Sequence, residues 1–360
     1  MQLQNENQTI MNELLFFSVF LVVVIVMLTL DLGVFHKKDH IITFKEAATW
    51  TAIWIGTALI FYVVIYFHAE WIHGINSMED IIRLNAKHGH GLKLDGLSYA
   101  EGLQLYRKAM SLEYITGYLI EKSLSVDNIF VMIMIFMAFG VNRLYYHRVL
   151  FYGIVGAIVL RFIFIFGAAA LIQRFHWILL LFGIILIYTG IKMFITRNRE
   201  NKIDAEHHPV VKFLSKRGLS TSQFHGHDFF TKINGRWLVT PLFIVLLIIE
   251  FSDIVFAFDS IPAIFSVTQD PYIVFFSNIF AILGLRSLFF MLENVMDKFR
   301  YLKVGLAVLL TYIGVKMLLP ETLGIKIETG TSLIVILGIL SLSIIASVIA
   351  NKIEAKKVRN

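Results

Sequence analysis

Long apolar stretches alternate with short polar ones along most of this chain, and the length of the apolar stretches sets the reading. A helix needs about 20 mostly apolar residues to cross a bilayer. Stretches of that kind fall near residues 12–30, 46–68, 110–138, 147–172, 177–196, 237–266, 272–291, 301–319 and 331–350. Backbone groups in hydrocarbon must be satisfied inside their own segment, so these stretches are expected to be helices. The fold class expected is all-α: a polytopic membrane helical bundle of about nine transmembrane helices. The first apolar run has no basic leader and ends in Leu30-Asp31-Leu32-Gly33, not in a small-x-small cleavage site, so it is expected to be retained.

Composition agrees with the pattern. Hydrophobic residues make up 57% and charged ones 16%, against about 25% charged in a typical soluble domain. Cysteine is absent, which removes disulfides and thiolate metal sites and leaves oxygen and imidazole as ligands. Lys and Arg gather at 37–38, 143–148, 197–236, 298–303 and 352–359. The positive-inside rule then puts the N-terminus outside and the C-terminus in the cytoplasm. This bias accounts for the net charge of +6, so nucleic-acid binding is not expected.

Two spans carry acids where hydrocarbon-embedded helices should have none, and they do so in one pattern. Glu121-Lys-Ser-Leu-Ser-Val-Asp127-Asn128-Ile129 in the third span matches Asp253-Ile-Val-Phe-Ala-Phe-Asp259-Ser260-Ile261 in the sixth, which Glu250 precedes. The match is part of a longer duplication. Tyr188-Thr-Gly-Ile-Lys192-Met193 recurs as Tyr312-Ile-Gly-Val-Lys316-Met317, and Arg161 and Arg286 stand at nearly equal distances before those tyrosines. Three-span copies joined in series lie upside down relative to each other, the inverted-repeat plan of secondary transporters. The expected organisation is two helices and an extracytoplasmic linker over 1–108, a first repeat over 109–196, a cytoplasmic loop over 197–236, a second repeat over 237–319, and a last helix with a basic tail over 320–360.

A charge at bilayer depth costs about 2.5–3.5 kcal/mol on insertion scales, so several in one pattern point to a cation pathway. Carboxylates with Asn and Ser form an all-oxygen set suited to Mn²⁺, Mg²⁺ or Ca²⁺. Asp127 and Asp259 are expected as the symmetric central pair. Asn128, Ser260 and Asn278 would be neutral helpers, and Glu121, Glu250 and Asp253 secondary ligands or proton carriers. Asp31, at the inner end of the first span, reads either as a cytoplasmic ligand or as an interfacial acid near Lys37 and Lys38. The competing reading makes the acids internal salt bridges to Arg161, Arg286 and Lys122, with the arginines anchoring helices or counterbalancing the site. Pro262 removes a backbone donor, and a kink or break is expected near Asp259. The histidines at 88 and 90, 207 and 208, and 225 and 227 lie in hydrophilic loops and read as plain polar residues, with metal binding as the alternative. Lys192 and Lys316 are expected to snorkel to the interface. No Walker loop, His-Glu-x-x-His or Gly-x-Ser-x-Gly occurs, and neither Asp has the Gly-x-Gly-Asp setting of an intramembrane aspartyl protease. An enzyme is not expected, nor is a resident cofactor.

The segments Tyr118 to Asn128, Glu250 to Ala263, Ser277 to Arg286 and Phe299 to Lys303, together with His225-Gly-His227-Asp-Phe-Phe and Leu30 to His36, resemble the signature of the TerC family of bacterial membrane proteins, nearest its Alx-type members. The resemblance runs from about residue 12 to 319. It implies a manganese exporter of the cytoplasmic membrane with Asp127, Glu250, Asp253 and Asp259 on the pathway. The His-bearing linker near 73–95 has no counterpart in it. The expected function is Mn²⁺ efflux by alternating access around the two acidic motifs, with Mn²⁺ as transported substrate. Ca²⁺ or Mg²⁺ as substrate stays open. The alternative from another class is a membrane assembly factor that aids folding or metalation of exported proteins. Partners expected are the hard divalent cation and the lipid bilayer; a homo-oligomer is compatible with the sequence.

Overall fold

The computed structural model describes residues 2–35, 42–175, 177–196, 211–212, 216–221, 223–233, 235–293, 301–325 and 327–359, with side chains described over the same residues except 2–10, 31–35, 321 and 354–359. The chain is a helical, multi-pass membrane bundle, with one small hairpin among the described residues. Helix α1 spans Gln2–Phe35 and α2 spans Phe44–His68, the latter started by Thr43, whose hydroxyl accepts from the Glu46 amide at 3.3 Å. Two short helices follow, α3 (Glu70–His73) and α4 (Met78–His88), then the 40-residue α5 (Tyr99–Ala138). Reciprocal capping boxes, Ser77 with Asp80 and Ser98 with Glu101, fix the starts of α4 and α5 by satisfying donors that the first turn leaves open. Helices α6 (Tyr146–Arg174) and α7 (Ile178–Thr196) complete the first half.

A two-stranded antiparallel hairpin, β1 (Phe230–Ile233) and β2 (Arg236–Val239), pairs Phe230 with Val239. It leads into α8 (Pro241–Phe265), α9 (Pro271–Leu283), α10 (Leu285–Glu293), α11 (Leu302–Leu323) and α12 (Thr329–Arg359). Much of the 197–236 loop and His207 and His208 lie outside the described residues. Among the described residues, seven helices are long and apolar enough to cross a membrane, or eight if α9 and α10 form one span bent by 42°. Helix α5 is long enough, but Glu113, Glu121, Lys122 and Asp127 make it too polar to be counted on composition.

Two expectations are corrected. The helix carrying Asp259 does not break there: α8 runs through Pro262 and ends at Ser266. Pro262 forfeits its own bond back toward Phe258, but the turn continues past it, with the Ser266 amide donating to the Pro262 carbonyl at 3.1 Å. The bend falls at Gly284 between α9 and α10. The linker after α2, expected as a mixed-charge loop, folds into α3 and α4 with Ile72, Ile81, Leu84 and His88 buried. Lys192 is exposed as expected, but Lys316 is only 7% exposed.

Helix α9 has a side chain buried at every position but Tyr272, and a helix apolar all round belongs inside a bundle. Gly117 on α5 lets α9 approach: a Cβ there would come within 2.9 Å of the Ser277 hydroxyl. Helices α7 and α11 touch through backbone. A Cβ at Gly190 would lie 2.7 Å from the Ala307 carbonyl oxygen, and one at Gly314 would lie 2.7 Å from that of Gly183. Close approach through small residues is how membrane helices gain packing. Gly183 and Ala307, and Gly190 and Gly314, stand apart by the same number of positions as Tyr188 and Tyr312.

Candidate functional site

Three helices bring oxygen atoms to one guanidinium. Arg161 on α6, 1% exposed, donates from Nη1 to Glu121 Oε1 at 2.5 Å, Asn278 Oδ1 at 2.9 Å and Ser260 Oγ at 3.2 Å. Its Nη2 and Nε reach Asp253 Oδ1 and Oδ2 at 3.3 and 3.4 Å. The Asn278 amide donates to the second oxygen of Glu121 at 3.1 Å. Five oxygens from α5, α8 and α9 thus converge on the positive charge. Glu121, Ser260, Asn278 and Asp253 are all buried. The competing salt-bridge reading therefore applies to Glu121 and Asp253. Lys122 turns instead to the Ala281 carbonyl at 3.2 Å.

The other predicted residues sit beside this cluster. Glu250 points over Gly156 on α6, where a Cβ would fall 2.1 Å from its Oε1. Its Oε2 is buried without a hydrogen-bond partner. Glu250, Asp253 and Arg286 line a common cavity of about 10 Å³, room for roughly one water. Asp259 accepts from the Thr189 hydroxyl on α7 at 2.9 Å and feels the charge of Asp127. Asp127 is half-buried and faces the charge of Lys303. Asn128 is buried but is not among the partners of Arg161. Asp31 lies in α1, and its side chain is outside the described residues. Sequence reading missed Thr189, although it sits inside the repeated Tyr188-Thr-Gly190 segment.

A second titratable cluster was also missed. His73 on α3 binds Glu13 Oε1 through Nδ1 at 2.7 Å and Asp270 Oδ2 through Nε2 at 2.8 Å. His88, at the end of α4, lies beside it with ring centres 5.6 Å apart and the rings tilted by 31°, and His90 follows at 5.8 Å from His88. His90 reaches Glu113 at 3.1 Å. Burial alone would depress His73, but the charges and hydrogen bonds of Asp270 and Glu13 outweigh it and raise its pKa to about 9. Burial pushes His88 down to about 4. For His90, burial is outweighed by the charge of Glu113, and its pKa rises. Asp270 is held well below the carboxylate range, its own burial outweighed by the charges of His73 and His88. A signal for this cluster existed: Ile81, Leu84 and His88 fall on one helical face, which places that histidine inward.

No solved structure matches the chain. It is 46% identical over 333 residues to an uncharacterized membrane protein of Myxococcus xanthus, covering 92% of each chain. It is 40% identical over 333 residues to the Escherichia coli (strain K12) protein named "Putative membrane-bound redox modulator Alx", covering 92% of this chain and 94% of that one. An uncharacterized membrane protein of Rickettsia felis is 39% identical over 331 residues, covering 92% and 96%. The profile of the integral membrane protein TerC family matches residues 106–357, a stretch that holds both acidic motifs, Arg161 and the α7–α11 contact. A multi-pass helical bundle with carboxylates at its centre, aligned over most of its length with these relatives, belongs to the TerC family of integral membrane proteins.

Proposed function

We propose that this protein exports Mn²⁺ from the cytoplasm across a bacterial cytoplasmic membrane, with its N-terminus outside and its C-terminus inside. The observation that carries the reading is the shell of five oxygens around Arg161. Two carboxylates, a hydroxyl and an amide carbonyl are the donors a hard divalent ion takes. Burying acids at bilayer depth is expensive unless a cation compensates them. Arg161 is that compensation, tethered to α6, and a mobile cation competes with it for the same oxygens. Asp127 and Asp259 form a second, less buried carboxylate pair through which the ion passes. Glu250 and Asp253 offer positions for a coupled proton.

The exchange-symmetric contact of α7 with α11 supports two inverted three-helix repeats: Gly190 meets Ala307 as Gly314 meets Gly183. Such a contact is what a pseudo-two-fold axis between copies produces, and alternating access follows as rocking of one copy on the other. In this reading the protein is a transporter, with neither enzymatic activity nor a resident cofactor. Thiol exchange is closed to its own residues, since the chain contains no cysteine.

The test is divalent-cation flux into proteoliposomes, wild type beside Asp127→Asn/Asp259→Asn and Asp253→Asn, with Mn²⁺, Ca²⁺ and Mg²⁺ in turn. Mn²⁺ flux lost in both variants is the expected result. No flux of any cation above empty liposomes would move the assignment to a membrane assembly factor, with the acids as a static site.

A further inference from the structure

Transport around Arg161 leaves one buried constellation without a task. His88 is 2% exposed, and among the described residues neither of its ring nitrogens has a hydrogen-bond partner; Nε2 of His90 is buried and has none there as well. Each unsatisfied buried polar group costs about 1–3 kcal/mol. A leucine at position 88, in line with Ile81 and Leu84, would pack there without that cost. A buried imidazole with both nitrogens unpaired among the described residues, beside a second imidazole and a carboxylate, is a ligand set.

We propose that His73, His88 and Asp270 form a divalent transition-metal site, separate from the Arg161 cluster, where α3, the end of α4 and the α8–α9 connection meet. One ligand atom from each lies within 4.8 Å of the others, and all three residues are buried. Two ligands, each about 2.1 Å from one ion, stand at most ~4.2 Å apart. Ligand atoms farther apart than that must draw together around an ion, and the His88 ring, which no hydrogen bond among the described residues restrains, can supply this by rotating. Two imidazoles with one carboxylate suit a borderline transition ion, whereas Mg²⁺ and Ca²⁺ take oxygen shells.

The surroundings fit the same reading. A ligating histidine normally donates its other N–H to a carboxylate, which fixes the ring and its tautomer. Glu13 occupies that position on Nδ1 of His73, while Nε2 faces Asp270. The Tyr272 hydroxyl in turn donates to Glu13 Oε2 at 3.2 Å. A cavity of about 310 Å³, lined by His88, His90, Glu113, Gln269 and Lys316 among others, gives an ion a way in. Glu113 lies eight residues before Glu121 on α5, about 12 Å along the helix axis. The two clusters therefore occupy different levels of one bundle, and the proposal does not rest on the transport reading.

The test is a Co²⁺ titration of the purified full-length chain in the Asp127→Asn/Asp259→Asn background, followed by the visible absorption of the bound ion. One Co²⁺ per chain is expected, displaced by Zn²⁺ and not by excess Mg²⁺. His88→Leu should weaken binding at least ~100-fold and Glu13→Gln by roughly 10–100-fold. In chelator, His88→Leu should melt no lower than its parent, since the orphaned imidazole is gone. Asp270→Asn, which keeps the side chain's size, tests the same site should His88→Leu fail to fold. Absence of stoichiometric Co²⁺ and Zn²⁺ binding in the parent overturns the proposal, as does binding that survives both His88→Leu and Asp270→Asn. Because the readout is binding that depends on His88 and Asp270, neither of which belongs to the Arg161 cluster or to the Asp127 and Asp259 pair, failure here and failure of the flux experiment are separable.

Discussion

Arg161 shows how much a single buried side chain can hold together. Its charge is shared between Glu121 and Asp253, both within the bundle. Arg161→Met would leave two carboxylates unpaired, and breaking a buried pair from one side costs about 3–5 kcal/mol. Unfolding in detergent should show that loss. Adding Glu121→Gln and Asp253→Asn should recover most of it, because the penalty lies in the stranded charges. If stability stays low in the triple variant, the network is held by packing and not by charge. The Arg107–Glu70 pair outside the spans behaves differently. Burial pushes the Glu70 carboxyl up, but the hydrogen bonds and charge of Arg107 outweigh it and lower its pKa below 4.5. A depressed carboxylate stabilises above its unfolded pKa and loses that contribution as pH falls through the folded value. Melting curves from pH 7 downward should therefore converge for wild type and Glu70→Gln at acid pH, from a difference of about 1 kcal/mol or less at neutrality.

The contact of α7 with α11 makes a prediction that belongs to the elements. Gly190 and Gly314 face backbone: Ala307 O and Thr311 N for the first, Gly183 O and Ile187 N for the second. Backbone cannot rotate away as a side chain can, so Gly190→Val and Gly314→Val should each cost about 1–3 kcal/mol by overpacking. Similar losses in the two unfolding curves support equivalent positions in a duplicated unit; a loss at only one would argue against it. The proposed duplication rests in the chain on Tyr188-Thr-Gly and Tyr312-Ile-Gly, which repeat in register. Most spans were legible because apolar length defines them, but the expected span over 110–138, in α5, does not qualify on composition. What stayed hidden depended on neighbours. Pro262 suggested a break near Asp259, but α8 runs through it to Phe265, because the proline gives up only its own bond back toward Phe258. His73 and Asp270 are 197 positions apart, and no local spacing announces a pair closed only by the packing of α3 against the α8–α9 connection. At the Arg161 cluster, sequence supplied every acid and the arginine but not their pairing, because a wheel drawn for one helix says nothing of which neighbour each face meets.

The number of crossings is a property of the whole molecule, and α5 decides it. Seven helices qualify on length and composition, eight with the bent pair, and α5 is the helix whose acids exclude it. Two of those acids are compensated, Glu121 by Arg161 and Glu113 by His90. A 40-residue helix is about 60 Å long, twice the hydrocarbon thickness, so α5 can cross and still project beyond the bilayer. Between Asn76, exposed after α3, and Lys232, exposed on the hairpin, lie α5, α6 and α7. Three crossings put these residues on opposite sides of the membrane; two, without α5, put them on the same side. The chain has no native cysteine, so Asn76→Cys and Lys232→Cys are each a single reporter. A membrane-impermeant maleimide applied to intact cells should label Asn76→Cys at once and Lys232→Cys only after permeabilisation. Equal labelling of both in intact cells would take α5 out of the membrane, and with it the acids that the transport reading places on the ion's path.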